Sequence, residues 1–149
     1  MAKGQIRFVV KFYFMKDIIL KDFARNKAYT IAVAEAMPEK DYSFKPVETV
    51  WSYMELLHHL AYALRWMQEN YVAGNQAEWS PPQVTSTKKE LVTYLTQTFN
   101  AVEKELQEIN FADEKISGFY FMLEHNSHHR GQAVTYLRCC GITPPEFPF

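Results

Sequence analysis

Apolar residues along this chain recur at helical spacing in four separate segments, and in each the pattern is bounded by recognisable stop or start signals. The first runs from Met15, with apolar or small residues at Ile19, Phe23, Thr30 and Ala34. Asp17 can cap it, and Pro38 ends it, because the residue before a proline is driven out of the helical region. The segment from Pro38 to Val50 has two prolines and no helical period, and reads as a loop. The second helix opens on Ser52, with Glu55 three residues later, a capping box in which each side chain satisfies the other residue's backbone amide. Leu56, Leu57, Leu60, Leu64 and Met67 follow, and the helix is predicted to stop near Val72, with Gly74 just beyond. Thr87 and Glu90 form a second capping box, behind which Leu91, Leu95, Phe99, Val102, Leu106 and Ile109 share one face. After a turn at residues 110–113, a last helix covers about 115–140, ended by Gly141 and by Pro144-Pro145. With no alternating strand pattern there and no internal repeat, the chain reads as an all-α four-helix bundle. Residues 1–14 are the exception: Ile6, Phe8, Val9, Val10, Phe12 and Phe14 give them strand-like composition without a partner strand. They read as an extension upstream of a bundle domain spanning 15–149.

Composition narrows the possibilities without naming a function. A chain of 149 residues, 48% hydrophobic and 15% aromatic, suffices for one well-buried core. The net charge of −1, with Lys and Arg dispersed, offers no field for a phosphate backbone, so nucleic acid is not an expected partner. No apolar run approaches the roughly 18–20 residues that span a bilayer. Lys11 interrupts the apolar start and no small-residue cleavage site follows, so a cytoplasmic location is expected. Cys139 and Cys140 are adjacent, a poor geometry for a structural staple, and fit a reducing compartment.

The histidines carry the chemistry. All 5 fall in two clusters, His58-His59 on the second helix and His125, His128, His129 on the fourth. At ~100° per residue, His125 and His129 differ by only ~40° around the axis and lie one above the other. That is the spacing by which two helical imidazoles hold one metal ion. Gln132 and Tyr136 continue the same face, whereas His128 sits to the other side of His125. The second helix is expected to supply a further ligand, and the apolar pattern leaves His58 and His59 both open.

Several named metal patterns are excluded. The HExxH peptidase motif needs Glu where Asn126 stands, and its inverted form needs Glu in place of His128. Glu55 to His58 matches one ExxH element of di-iron bundles, but Glu124 is followed at that spacing by Ser127. Glu55 is accounted for by its cap.

The string His125-Asn126-Ser127-His128-His129-Arg130-Gly131-Gln132, with Tyr136-Leu137-Arg138, Gly141 and Pro144-Pro145 behind it, resembles the end of DinB-family proteins, of the DinB/YfiT-like metalloenzyme superfamily. Trp51 through His59 is similar to that family's second-helix motif, and residues 41–46 to its connecting loop. The resemblance covers about residues 15–149. It implies an up-down-down-up bundle, commonly a homodimer, with His59, His125 and His129 holding a divalent metal such as nickel or zinc. His58 and His128 are then neighbours of the ligands. Relatives include S-transferases that use a low-molecular-weight thiol and a mycothiol-dependent isomerase, so a small-molecule substrate is expected.

Three imidazoles leave a metal at least one open position, which suits catalysis better than structure. A bound water can be acidified for hydrolysis, or a thiol can be bound as thiolate and attack an electrophile. No base is well placed on the ligand face, which favours the thiol S-transferase reading. The alternatives are a metal-dependent hydrolase and a non-catalytic metal-binding dimer in a stress response. Gln132, Tyr136, Glu55 and His128 are expected to line or support the site, and Trp51 or Trp66 to wall an apolar substrate.

Overall fold

The computed structural model describes residues 3–85 and 87–148, with the backbone alone over 3–14 and at 113. Four helices follow one another: α1 (Lys3–Ala36), α2 (Tyr53–Met67), α3 (Lys88–Glu108) and α4 (Asp113–Cys139). A 3-10 turn (Glu39–Asp41) interrupts the first connection, and a π-helical stretch (Gln68–Ala73) carries α2 to its end. No strand occurs among the described residues, and no helix among them is long and apolar enough to cross a membrane.

The stop and start signals act as read except at the first helix, where α1 begins at Lys3 and Asp17 lies within it rather than at a cap. Both capping boxes close, Ser52 with Glu55 and Thr87 with Glu90. Gly74 takes φ 84° at the end of the π stretch and Gly141 takes φ 74° after α4, a left-handed conformation that glycine enters without a Cβ penalty. At Gly141 the amides of Gly141 and Ile142 donate back to the carbonyls of Arg138 and Leu137, a Schellman ending.

The strand-like reading of residues 1–14 is corrected over 3–14, where α1 begins at Lys3 and runs unbroken; residues 1 and 2 lie outside the described residues. Aromatic and β-branched composition is a weak preference. A strand must find its backbone partners on a neighbour, whereas a helix satisfies them within itself.

Each helix has two lateral neighbours: α1 and α2 both pack against α3 and against α4. Contacts set the directions. Lys16, in the first half of α1, donates to the Gln107 carbonyl at the end of α3, while Lys88 at the start of α3 donates to the carbonyls of Glu35, near the end of α1, and Met37, so these helices are antiparallel. Arg65 meets Glu105 near the ends of α2 and α3, and Asp22 and Thr30 of α1 meet Tyr120 and Asn126 of α4 in order. The chain therefore runs up, down, down, up.

The predicted stripes form much of the core: Ile19, Phe23 and Ala34 from α1, Leu57, Leu60 and Leu64 from α2, and Leu91, Leu95, Phe99 and Val102 from α3 are all sealed from solvent. Burying each of the larger of these side chains contributes ~1.5–3 kcal/mol. Helix α4 is different. Phe119, Met122, Ala133 and Leu137 are buried, but so are Asn126 and Arg130. Gly118 permits the close approach of α4 to the π stretch, since a Cβ there would meet the Tyr71 carbonyl oxygen at 2.1 Å. At the α1–α4 seam, Thr30 Oγ1 accepts from Arg130 at 3.3 Å and presents its own proton to the Asn26 carbonyl and Asn126 Oδ1.

Candidate metal centre

Helix α2 lies between α3 and α4, so one ~100° step along it turns a side chain from one neighbour to the other. His58 faces α3: it is buried, its ring is 5.4 Å from that of Tyr94, and its Nε2 has no hydrogen-bond partner. His59 faces α4. There it joins His125 and His129, which the helical repeat stacks one turn apart.

The structure brings these three imidazoles together. Each offers a ring nitrogen, and the three nitrogens lie within 4.8 Å of one another. Ring centroids are 4.7 Å apart for His59 and His129, 5.5 Å for His59 and His125, and 4.6 Å for His125 and His129. All three are half-buried. Burial, and then the neighbouring imidazoles, push His59 and His125 down to about 4, because a second positive charge in this space is unfavourable. Burial also lowers His129, partly countered by its bond to Gln132. A neutral imidazole has one N–H and one lone pair, and with the N–H turned outward, as Gln132 holds it on His129, a cation satisfies all three lone pairs at once.

The surrounding groups orient the rings. Gln132 Oε1 lies 2.9 Å from His129 Nδ1 and so accepts its proton, which leaves Nε2 bare. The Gln132 amide nitrogen in turn donates to His128 Nε2 at 3.2 Å. His128 is exposed and outside the triad, linked to it through Gln132. Tyr136 donates its hydroxyl to the Trp51 carbonyl at 2.9 Å, and burial raises its pKa, so it stays protonated. That bond fixes the residue before the α2 cap where its indole stacks on the site, 4.6 Å from His59 and 5.9 Å from His129. Glu55 stays with its cap and pairs with Lys45 at 3.5 Å; the hydrogen bonds from Ser52 hold its carboxyl below the usual range.

Trp79 was not expected here. It comes from the loop after Gly74, sits 5.7 Å from His59 on edge-to-face contacts with Tyr62 and Trp66, and is 48% exposed, as is Trp51. Trp66 packs behind it, on Trp79 and Tyr71. The loop is pinned by Trp66 Nε1 donating to the Ala77 carbonyl and by Ser80 donating to the Tyr62 hydroxyl. A loop tryptophan carries no periodic signal, so only the closed loop reveals its place. On the Trp51 side a cavity of about 330 Å³ opens against His129, lined also by Val50, Leu56, Gln132 and Tyr136. None of its lining residues is acidic.

Comparison with known proteins agrees with this frame. The family model described as DinB superfamily matches residues 22–133. The chain is 26% identical over 145 residues to the uncharacterized protein YjoA of Bacillus subtilis (strain 168), covering 88% of this chain and 93% of that one. It also resembles two crystal structures. A DinB-like protein from Bacillus cereus ATCC 10987 superposes with a TM-score of 0.73 at 16% identity, covering 86% of this chain and 94% of its own. The DinB-like YjoA structure from Bacillus subtilis gives 0.64 at 23% identity, covering 88% and 96%. At these identities the structures speak for the fold.

Proposed function

The chain belongs to the DinB superfamily, and we propose that it is a divalent-metal-dependent enzyme of the thiol S-transferase type, with His59, His125 and His129 as the metal ligands. The observation that carries this reading is the convergence of three neutral imidazoles, their nitrogens within 4.8 Å of one another, beside a cavity without an acidic group. The donor set fits such an ion. Imidazole nitrogen suits zinc and nickel, and a three-ligand set leaves a coordination position for an exogenous group, unlike a closed four-ligand structural site. When bound, the ion supplies Lewis acidity that makes a thiol available as thiolate near neutral pH.

The chain's own residues do the rest. Gln132 keeps the His129 proton on Nδ1. Trp51 and Trp79 flank His59 and limit water on either side. The cavity beside His129 holds the electrophile, whose apolar body lies against Val50, Trp51 and Leu56. Sulfur then bonds to the electrophilic carbon as the leaving group departs, and the thiol proton goes to solvent. Hydrolysis would call for a positioned base to handle the protons of water, and the cavity wall offers no carboxylate.

Purified protein reloaded with zinc or nickel is expected to hold about one ion per chain, and to conjugate small thiols to chlorodinitrobenzene only when loaded. Well under one ion per chain overturns the metal reading. Full loading with ester hydrolysis that ignores added thiol replaces the transferase with a hydrolase. Full loading with no turnover leaves a metal-binding protein.

A further inference from the structure

The face of α4 opposite the triad carries a second unfinished site. Arg130 is only 7% exposed, yet among the described residues no carboxylate reaches it. Two of its guanidinium nitrogens reach hydroxyls, Thr30 Oγ1 and Ser127 Oγ, each at 3.3 Å. Its remaining compensation is the Tyr29 ring, 5.0 Å away. Beside it Asn26, 8% exposed, leaves its Oδ1 without a partner, and the buried Asn126 leaves its Nδ2 without one. A buried cation held by neutral groups alone is costly, and side chains that leave hydrogen-bonding atoms unmet in an otherwise well-packed seam call for an explanation.

Of these groups Arg130, Asn26, Ser127 and Tyr29 border a cavity of about 440 Å³ between α1, α4 and the C-terminal tail, within the size range of small-molecule sites. Its floor is Arg130, Asn26 and Ser127; its walls include Tyr29, Leu123 and Phe147. Phe147 meets Tyr29 edge to face at 5.2 Å, so the tail closes one side. At the mouth Asp22 is engaged by Arg25 at 2.8 Å, and Glu124 adds one negative charge. One buried guanidinium matches one carboxylate in charge and in its paired acceptors. The acids at the mouth repel an ion of higher charge, and the aromatic walls reward an apolar body.

We propose that this pocket binds a small aromatic monocarboxylate, its carboxylate on Arg130 and its ring against Tyr29 and Phe147. The site is independent of the metal, because Arg130 points to α1 while His129 points to α2.

Titration of the full chain with phenylacetate, followed by calorimetry with and without nickel, tests this. Saturation at about one per chain, with the same affinity in both states, is expected. The neutral phenylacetamide and inorganic phosphate should each bind at least tenfold more weakly. Asn26→Asp is nearly isosteric and places a carboxylate at the Ser127 hydroxyl that Arg130 also uses, so it should fold and weaken phenylacetate at least tenfold. Arg130→Gln should do the same, and Asn26→Asp keeps the test valid if that variant fails to fold. No saturable binding of phenylacetate overturns the proposal. So does binding that requires nickel, which would place the carboxylate at the triad. Unchanged affinity in Asn26→Asp, or equal affinity for phosphate or phenylacetamide, overturns it as well.

Discussion

Helix α4 buries polar groups on both of its long sides, and the two sides are incomplete in opposite senses. Toward α2 it presents His125 and His129, each with a ring nitrogen within 4.8 Å of one on His59. Toward α1 it presents Asn126 and Arg130, an array of donors short of acceptors. One side gathers imidazole nitrogens that suit a cation; the other holds a buried guanidinium that no carboxylate among the described residues reaches, beside one unmet amide nitrogen and one unmet amide oxygen. The difference lies also in how each side is held. The imidazoles are half-buried and lean on exposed indoles, whereas the Thr30 network is almost wholly buried. Binding groups can afford loose surroundings only where the helix that carries them is anchored elsewhere. Here the α1 side holds the helix in place as well as bordering the Arg130 cavity, and the α2 side carries the clustered imidazoles.

The largest expected effect breaks that division directly. His125→Ala or His129→Ala should weaken zinc or nickel by more than ~100-fold, beyond the 10–100-fold typical for groups that only support a ligand. The unloaded variants should change in stability by less than ~1 kcal/mol, because their side chains are half-buried and make no buried network. Competition with a chromophoric chelator gives the first number and chemical denaturation of the stripped protein the second. A ligand variant that unfolds the stripped chain would show that the α2 side is structural.

Thr30→Val probes the opposite side. It keeps the volume and removes the hydroxyl that accepts from Arg130 and donates to Asn126. Leaving those buried groups unmet should cost ~1–3 kcal/mol, while metal affinity moves by less than ~3-fold, since the change is small in volume and His125 and His129 point away. Denaturation and chelator competition on the one variant decide it. A loss of metal affinity as large as in His125→Ala would mean that the two sides are not separable.

The same division explains what could be read from the sequence. Helices α2 and α3 each bury one apolar stripe behind a capping box, so Leu57, Leu60 and Leu64, or Leu91, Leu95 and Phe99, declare their face from spacing alone. Helix α4 has no single stripe, because it is lodged between α1 and α2 and buries polar groups toward both. Its histidine spacing was legible, and so was its end at Gly141. His58 and His59 were not separable by pattern, because each has a helix to face: α3 for one, α4 for the other. Only the family resemblance preferred His59. Arg130 stood inside the motif string and drew no separate reading, for its environment depends on α1, remote in sequence. Trp79 and the helical course of residues 3–14 were hidden for a related reason. A loop side chain goes where the closed loop takes it, and a run rich in aromatic and β-branched residues becomes helix when no partner strand exists.

The smaller predictions sharpen the binding side. Gln132→Leu removes the acceptor on His129 Nδ1 and frees the ring's one proton to sit on either nitrogen. A ~10-fold loss of metal affinity is expected, at the lower end for such support because Trp51 still packs on the ring. His128→Ala acts one step further out. His128 holds the Gln132 amide through a single exposed contact at 3.2 Å, and its loss leaves that amide free to turn but still able to accept. The drop should therefore be only ~2–3-fold, since an exposed hydrogen bond contributes at most ~1 kcal/mol and acts here through an intermediary. The double variant Gln132→Leu, His128→Ala then separates two roles for His128. If it acts only through Gln132, the double variant binds zinc as Gln132→Leu does, because the intermediary is already gone. A further loss of ~100-fold in the double variant would instead make His128 a ligand in its own right and the triad a set of four.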